Sequence, residues 1–503
     1  MGSTEKMGSN QRLPEKLKLP ERIRSGGSDG ELTEPLSPAA RLFAQPNFNC
    51  HIIAVLGVGE RLDVDAVKAG LQVTLLRHPR FSCLQVQSKN GAEEWLPTKI
   101  ALDNHLVISD VDPNMDSPDK FIEDYVSNIP ETPLDPSKPQ WELHLLNVRT
   151  SEAEAVGIFR IHHSLGDGVS LMSLLLACTR KTSDPDSVPT LPVPTKKAAP
   201  PKGVFLVVFK WLWCMLCLVW YTVLDLMMFA ATLVFLKDTD TPVKGGVGVE
   251  SRPKRFVHRT LSLDDVKVVK DMTGSTMNDV LVGITAAGLS CYLNQKFGEI
   301  KNTPDKNNLP SSLRLRATVL VNLRTTIEIQ TLADGMKDDK SKSQWGNKLG
   351  YIIIPFNIIA REDPLDYVRR AKVIVDRKKK SLEAVLSHSC GALIVKVFGI
   401  KAAAALSHRM LRNTTMSFSN IVGPAEEIGF FGNPIRYIAP SVYGHPQALT
   451  FHFQSYMNMM KVVVAVDESV IPDPHQLCED LAESLNLMKD AASRNKSSLE
   501  DPI

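Results

Sequence analysis

The chain has 503 residues, 43% of them hydrophobic and 23% charged, which is long enough for two lobes with buried cores. Those fractions argue against global disorder, a collagen-like fibre and a polytopic transporter. Lys plus Arg number 58 against 56 Asp plus Glu, a net charge of +2, so no basic field points to nucleic acid.

Residues 1–30 lack periodic apolar positions and read as a disordered tail. They hold no apolar signal-peptide core, and Lys6 stands where a myristoylation signal beginning at Gly2 carries Ser or Thr. An N-terminal lobe is expected over residues 31–180. Within it, residues 50–55 (CHIIAV) read as a strand and residues 62–76 as a helix with Val64, Val67, Leu71 and Leu75 on one face. Residues 156–162 alternate as a strand, and residues 169–180 follow as a helix. Residues 181–203 contain six prolines and read as a linker.

Residues 204–236 form an apolar segment in which 29 of 33 residues are hydrophobic and three of the six Trp lie. A C-terminal lobe is expected over residues 250–495. Helices are predicted at 278–296, 366–380 and 475–489, and strands at 317–322, 350–356, 416–421, 449–456 and 461–466. Residues 302–312 and 333–343 are polar loops. The eight Cys are scattered and show neither zinc spacing nor a disulfide framework, so no metal site and reduced thiols are expected. Cys214 and Cys217, inside the apolar segment, read as apolar lining.

The sharpest feature is His162-His163-Ser164-Leu165-Gly166-Asp167-Gly168, at the junction of a predicted strand and a predicted helix. Adjacent residues of a strand point to opposite faces, so the two histidines cannot both serve one site. Imidazole titrates near neutrality and can take a proton from an alcohol and return it to a leaving group. Residue type alone leaves a structural and a catalytic reading open. Asp167 can pair with a base such as Arg, or cap the helix that begins near Gly168.

HHSLGDG resembles the HHxxxDG signature of acyl-CoA-dependent acyltransferases and condensation domains, and within them the plant wax ester synthase/diacylglycerol acyltransferase group. Pro133-Leu134-Asp135, Pro139, Trp141-Glu142, Asn278-Asp279, Asn322-Leu323-Arg324, Gly346-Asn347, Gly350 and Ser419-Asn420-Ile421-Val422-Gly423-Pro424 extend the resemblance over residues 36–487. It implies an α/β fold of two chloramphenicol-acetyltransferase-like lobes forming a pseudo-dimer around a channel. It also implies that His163 is the general base, with His162 supporting, Asp167 holding the loop and Gly168 making space. Acyl-CoA, fatty alcohol and diacylglycerol are the implied substrates, with no cofactor. As substrate-binding residues, Asn278 and Asp279 are implied to support the cleft from the second lobe and Asn420 to line it; Thr276 and Asp279 equally fit a capping box.

Residues 211–224 are the longest uncharged stretch of the apolar segment, shorter than the roughly 20 residues a span needs. A single span would also place the two lobes on opposite sides of the bilayer and prevent a shared cleft. A hairpin broken near Asp225, or an in-plane anchor, resolves that conflict. A buried helix without lipid contact is the plain alternative. Membrane lipid is therefore an expected partner. The location expected is the endoplasmic reticulum or plasma membrane, with the active site cytosolic. Residues 369–380 carry seven basic residues and one acid, suited to a solvated face or to anionic phosphates. His445 and His452 read as packing or surface residues.

Two rival functions stand beside the esterifying enzyme. A soluble-type acyltransferase with a small hydroxylated acceptor shares HxxxD, but its usual DFGWG string does not occur here. A non-catalytic lipid-binding protein on the same fold is the other.

Overall fold

A computed structural model describes residues 34–500, apart from 89–90, 110, 113–114, 193–203, 302–306 and 325–344. The expected tail at 1–30, the loop at 333–343 and the parts of the linker and the 302–312 loop in those gaps lie outside the described residues.

The first lobe begins with β1 (Glu34–Pro35), α1 (Pro38–Phe43), β2 (His51–Val58), α2 (Val64–Val73), β3 (Cys83–Gln87) and β4 (Glu93–Pro97). It continues through β5 (Leu106–Ile108), α3 (Pro118–Asn128), β6 (Trp141–Leu146), β7 (Ala155–His162), α4 (Gly168–Cys178) and β8 (Arg180–Lys181). The long helix α5 (Val204–Val234) follows. Then come β9 (Arg255–Ser262), α6 (Leu263–Thr273), α7 (Met277–Lys301), β10 (Leu315–Asn322), β11 (Leu349–Phe356), α8 (Leu365–Lys378) and α9 (Glu383–Arg412). The chain closes with β12 (Met416–Val422), β13 (Ile428–Phe430), β14 (Asn433–Tyr443), β15 (Leu449–Tyr456), β16 (Met459–Val466) and α10 (Pro474–Glu500).

Two large mixed sheets result. One runs β5-β6-β7-β2-β14-β13-β8 and the other β11-β10-β12-β15-β16-β9. The lobe boundary expected between 180 and 250 needs correction at the sheet level. β14 pairs with β2 from Tyr443 opposite His51 to Ile435 opposite Val58, and β13 pairs with β8. Residues 428–443 therefore cross back to complete the first lobe. Alternation identifies a strand but not the edge it joins.

In the second lobe, α7 has no apolar stripe because it is buried nearly all round. Its core joins Val280, Ile284 and Leu289 to Phe451 and Phe453 of β15 and to Leu481 of α10. The two sheets meet in a further cluster, where Ile53 and Val55 of β2 lie with Phe256 of β9 and Val463 of β16.

Helix α5 is continuous, without the break near Asp225 that a hairpin there requires. Its polar residues Thr222, Asp225 and Thr232 recur at helical spacing and are all buried against the second lobe. Asp225 Oδ1 accepts from Arg377 Nη2 at 2.8 Å and Lys378 Nζ at 2.9 Å. Part of the basic charge of α8 is thus turned inward rather than solvated. Among the described residues, α5 and α9 are apolar enough and have enough residues to cross a membrane by length and composition; sequence periodicity did not reveal α9.

Candidate active site

Strand β7 lies inside its sheet and is buried on both faces, and it delivers the two histidines to its end. The His163 N–H donates to Cys50 O at 2.9 Å, which fixes the turn out of the strand. His163 then lines an apolar cavity of about 200 Å³. The walls are Leu62 and Leu71, Leu171 and Leu175 of α4, and Phe159 and Ile161 of β7. The second lobe adds a polar rim of Asn322, Ser419, His452 and Gln454.

The ring of His163 stacks on Phe43, centroids 4.1 Å apart. Its Nδ1 lies 3.1 Å from Asn347 Oδ1, and Asn347 Nδ2 donates to the His163 carbonyl at 2.9 Å. A carbonyl only accepts, so the amide orientation is fixed and Oδ1 must face Nδ1. Nδ1 therefore carries the proton, and Nε2 keeps its lone pair. Burial pushes the His163 pKa below the ordinary imidazole value, opposed by a backbone hydrogen bond, the Asp167 charge and Asn347.

His162 points the other way, as strand alternation requires, and is not among the residues lining the cavity. The Ser164 N–H donates to its Nδ1 at 3.2 Å, so its Nε2 carries the proton and donates to Asn49 Oδ1 at 2.9 Å. Both ring nitrogens are engaged, and burial lowers its pKa to about 3. This histidine is held neutral and spent on structure.

Asp167 is fully buried and makes both kinds of contact its position allowed. Oδ1 caps α4 by accepting from Ser170 N at 2.9 Å. Oδ2 accepts from Arg324 Nη1 at 2.6 Å and Lys348 N at 3.0 Å, both in the second lobe. Arg324 also donates to Gly346 O at 2.6 Å, next to Asn347. Asp167 thus ties the histidine loop to the segment that holds His163. A Cβ at Gly168 would stand 2.6 Å from Ile421 Cδ1, so the glycine admits β12 to the cavity wall.

Asn278, Asp279 and Asn420 require a correction. Ser419 and Ile421 line the cavity, and alternation along β12 turns Asn420 to the other face. There its Nδ2 donates to Asn278 Oδ1 at 2.7 Å, tying β12 to the start of α7. Asp279 completes a capping box, accepting from Thr276 N at 2.7 Å while its own N–H donates to Thr276 Oγ1 at 3.4 Å. None of the three lines the cavity. Residue chemistry alone missed Phe43 and gave Asn347 no role. His452, read as packing or surface, lies on the cavity wall.

The protein-family model described as "Wax ester synthase/diacylglycerol acyltransferase catalytic domain" matches residues 99–281, and "WS/DGAT C-terminal domain" matches residues 345–489. "Wax ester synthase/diacylglycerol acyltransferase 11" of Arabidopsis thaliana is 50% identical over 463 residues, covering 91% of this chain and 95% of that relative. "Wax ester synthase/diacylglycerol acyltransferase 6" of the same plant is 47% identical over 494 residues, covering 93% and 95%. Among solved structures, the wax ester synthase/diacylglycerol acyltransferase from Marinobacter aquaeolei VT8 superposes with a TM-score of 0.57 at 16% identity, covering 91% of this chain and 100% of that one. The first condensation domain of the CDA synthetase superposes with a TM-score of 0.56 at 12% identity, covering 92% and 97%. At these identities the structural matches establish the two-lobed fold.

Proposed function

The chain belongs to the wax ester synthase/diacylglycerol acyltransferase family, and from that premise we propose that it makes wax esters from acyl-CoA and long-chain fatty alcohols, with diacylglycerol as a second acceptor. The observation that carries this reading is a neutral, buried imidazole with an available Nε2 on the wall of a largely apolar cavity.

In this reading Nε2 of His163 takes the hydroxyl proton as the alcohol oxygen attacks the thioester carbonyl. The tetrahedral adduct collapses with cleavage of the C–S bond, and the imidazolium returns the proton to the departing thiolate. The products are an ester and free coenzyme A. Such a base contributes roughly 10²–10⁴-fold in rate. Asp167 and Gly168 shape the loop, and His162 supports it from the opposite face. Asn278, Asp279 and Asn420 brace the second lobe behind the cavity wall.

The two apolar helices support placement at a membrane, the endoplasmic reticulum or plasma membrane, with the cavity on the cytosolic side. The apolar walls favour long-chain substrates over a small hydroxylated acceptor.

The test is coenzyme A release by the purified protein supplied with long-chain acyl-CoA and alcohol. His163→Ala should abolish it while circular dichroism stays unchanged. Full activity in that variant would overturn the assignment. Lipid binding by the unaltered protein without coenzyme A release would favour the non-catalytic alternative.

A further inference from the structure

We propose that α5 and α9 together form a monotopic docking surface for one leaflet of an anionic lipid bilayer. The proposal deepens the membrane placement above and does not depend on the chemistry at His163.

Residues between α5 and α9 hold directly onto the first lobe: Arg255 of β9 pairs with Asp124 of α3, and Asn347 hydrogen-bonds His163, so both flanks of α5 lie on one side of any membrane. An odd number of crossings between them is impossible. A single span by α5 is thereby excluded, although its length allows one.

Helix α9 is not a straight rod either. At its start, Glu383 Oε1 accepts from Ile353 N at 3.1 Å. At its end, Met410 and Leu411 pack in the same small buried cluster as Ile353. A straight helix between those points would separate them by about 40 Å at about 1.5 Å per residue. The chain turns back at Gly399, where φ is 80° and ψ is 170°, a conformation that favours glycine. The arms 383–398 and 400–412 are about 24 Å and about 20 Å long, too short for a hydrocarbon core of about 30 Å.

The exposed surface of this pair is apolar where a soluble protein would be polar. Leu393, Val397 and Phe398 near the turn are 58–72% exposed, and Trp211, Trp213 and Trp220 of α5 are 58–62% exposed. The polar residues Thr222, Asp225 and Thr232 face the protein, so the usual amphipathic arrangement is inverted.

The charges select the partner. The only acids of the two helices, Asp225 and Glu383, are buried and share Lys378. Lys210, Lys396 and Lys401 lie on the exposed apolar portions and carry positive charge. Aromatic and aliphatic side chains flanked by lysines suit an anionic headgroup layer over acyl chains.

The experiment uses the full chain and vesicles of phosphatidylcholine with or without phosphatidylserine. Flotation should show partitioning that phosphatidylserine strengthens. Brominated lipid should quench tryptophan emission, because the three Trp of α5 are exposed whereas Trp95 and Trp141 are buried. The double variant Val397→Asp/Phe398→Asp should partition about tenfold less or worse. Its coenzyme A release from a short-chain acyl-CoA and a water-soluble alcohol should not change. In sealed microsomes, tags at the two chain ends should be reached from the same face.

Absence of partitioning or quenching in the unaltered protein would overturn the proposal, and so would tags on opposite faces. A lipid-free dimer abolished by the double variant would overturn it in favour of a second copy of the chain. Should the variant fail to fold, the quenching and tag measurements on the unaltered protein decide. Partitioning without coenzyme A release would support the surface and count against acyl transfer.

Discussion

Asn347 grips His163 at both ends, one amide atom on the ring and the other on the carbonyl of the same residue. The two residues come from different lobes, so the protonation pattern of the histidine depends on how the lobes are joined. Asn347→Ala should release the ring and lower kcat by about tenfold, short of the roughly 10²–10⁴-fold attached to the base itself. Asn347→Asp should place a carboxylate beside Nδ1–H and raise the His163 pKa. The acid limb of its kcat/KM profile should move to higher pH. A purely structural Asn347 would leave that limb unmoved.

Asp167→Asn keeps an oxygen for the Ser170 N–H but removes the charge that faces buried Arg324. Breaking one side of a buried ion pair typically costs about 3–5 kcal/mol. A large fall in melting temperature is expected, together with reduced activity, because Arg324 also holds Gly346 next to Asn347. An unchanged melting temperature would contradict the linkage.

Acid sensitivity follows from the buried histidines. Burial lowers His78, His162 and His445 to about 3 and His452 to about 4, from an ordinary value of 6.5. In the unfolded chain these groups take up protons as pH falls below 6.5, while in the folded protein they do not. Their stability contribution is therefore intact above 6.5 and lost progressively as pH falls from there toward 3–4. Each group steepens the loss by about 1.4 kcal/mol per pH unit. Melting temperature measured across this range should drop sharply, whereas at pH 7 to 8 the histidines should contribute almost no slope. The acid limb of activity, set by His163, should lie below 6.5.

Gly157 lines the cavity, and a Cβ there would meet nothing within 4 Å. Gly157→Ala adds only that Cβ and should fill space without displacing a neighbour. Activity should shift toward shorter chains, with KM rising for long ones and stability little changed. An unaltered chain-length profile under competition would show that the reacting chain does not pass Gly157.

Much of the site was legible in the sequence because strand alternation is strict. It separates His162 from His163, and the glycines beside Asp167 mark the turn between β7 and α4. The same alternation removes Asn420 from the cavity, a consequence that the motif alone conceals. Asn347 and Arg324 have no role readable from the sequence alone, because their first-lobe partners His163 and Asp167 lie more than a hundred residues away. The return of β14 to the first sheet was hidden for the same reason. The α9 hairpin escaped because its apolar pattern is weak and its turn rests on one glycine within a helical stretch. In α5 the charge at Asp225 looked like a defect in a span, but Arg377 and Lys378 make it a docking point.

The crossing strand sets an order of events during synthesis. The edge of β2 that β14 covers stays open until residues 433–443 have left the ribosome. Helix α5 emerges well before that point, with its apolar surface complete. The apolar segment is thus exposed to the cell while the first sheet is still unfinished. A chain truncated before β14 would present that segment without ever closing its first lobe.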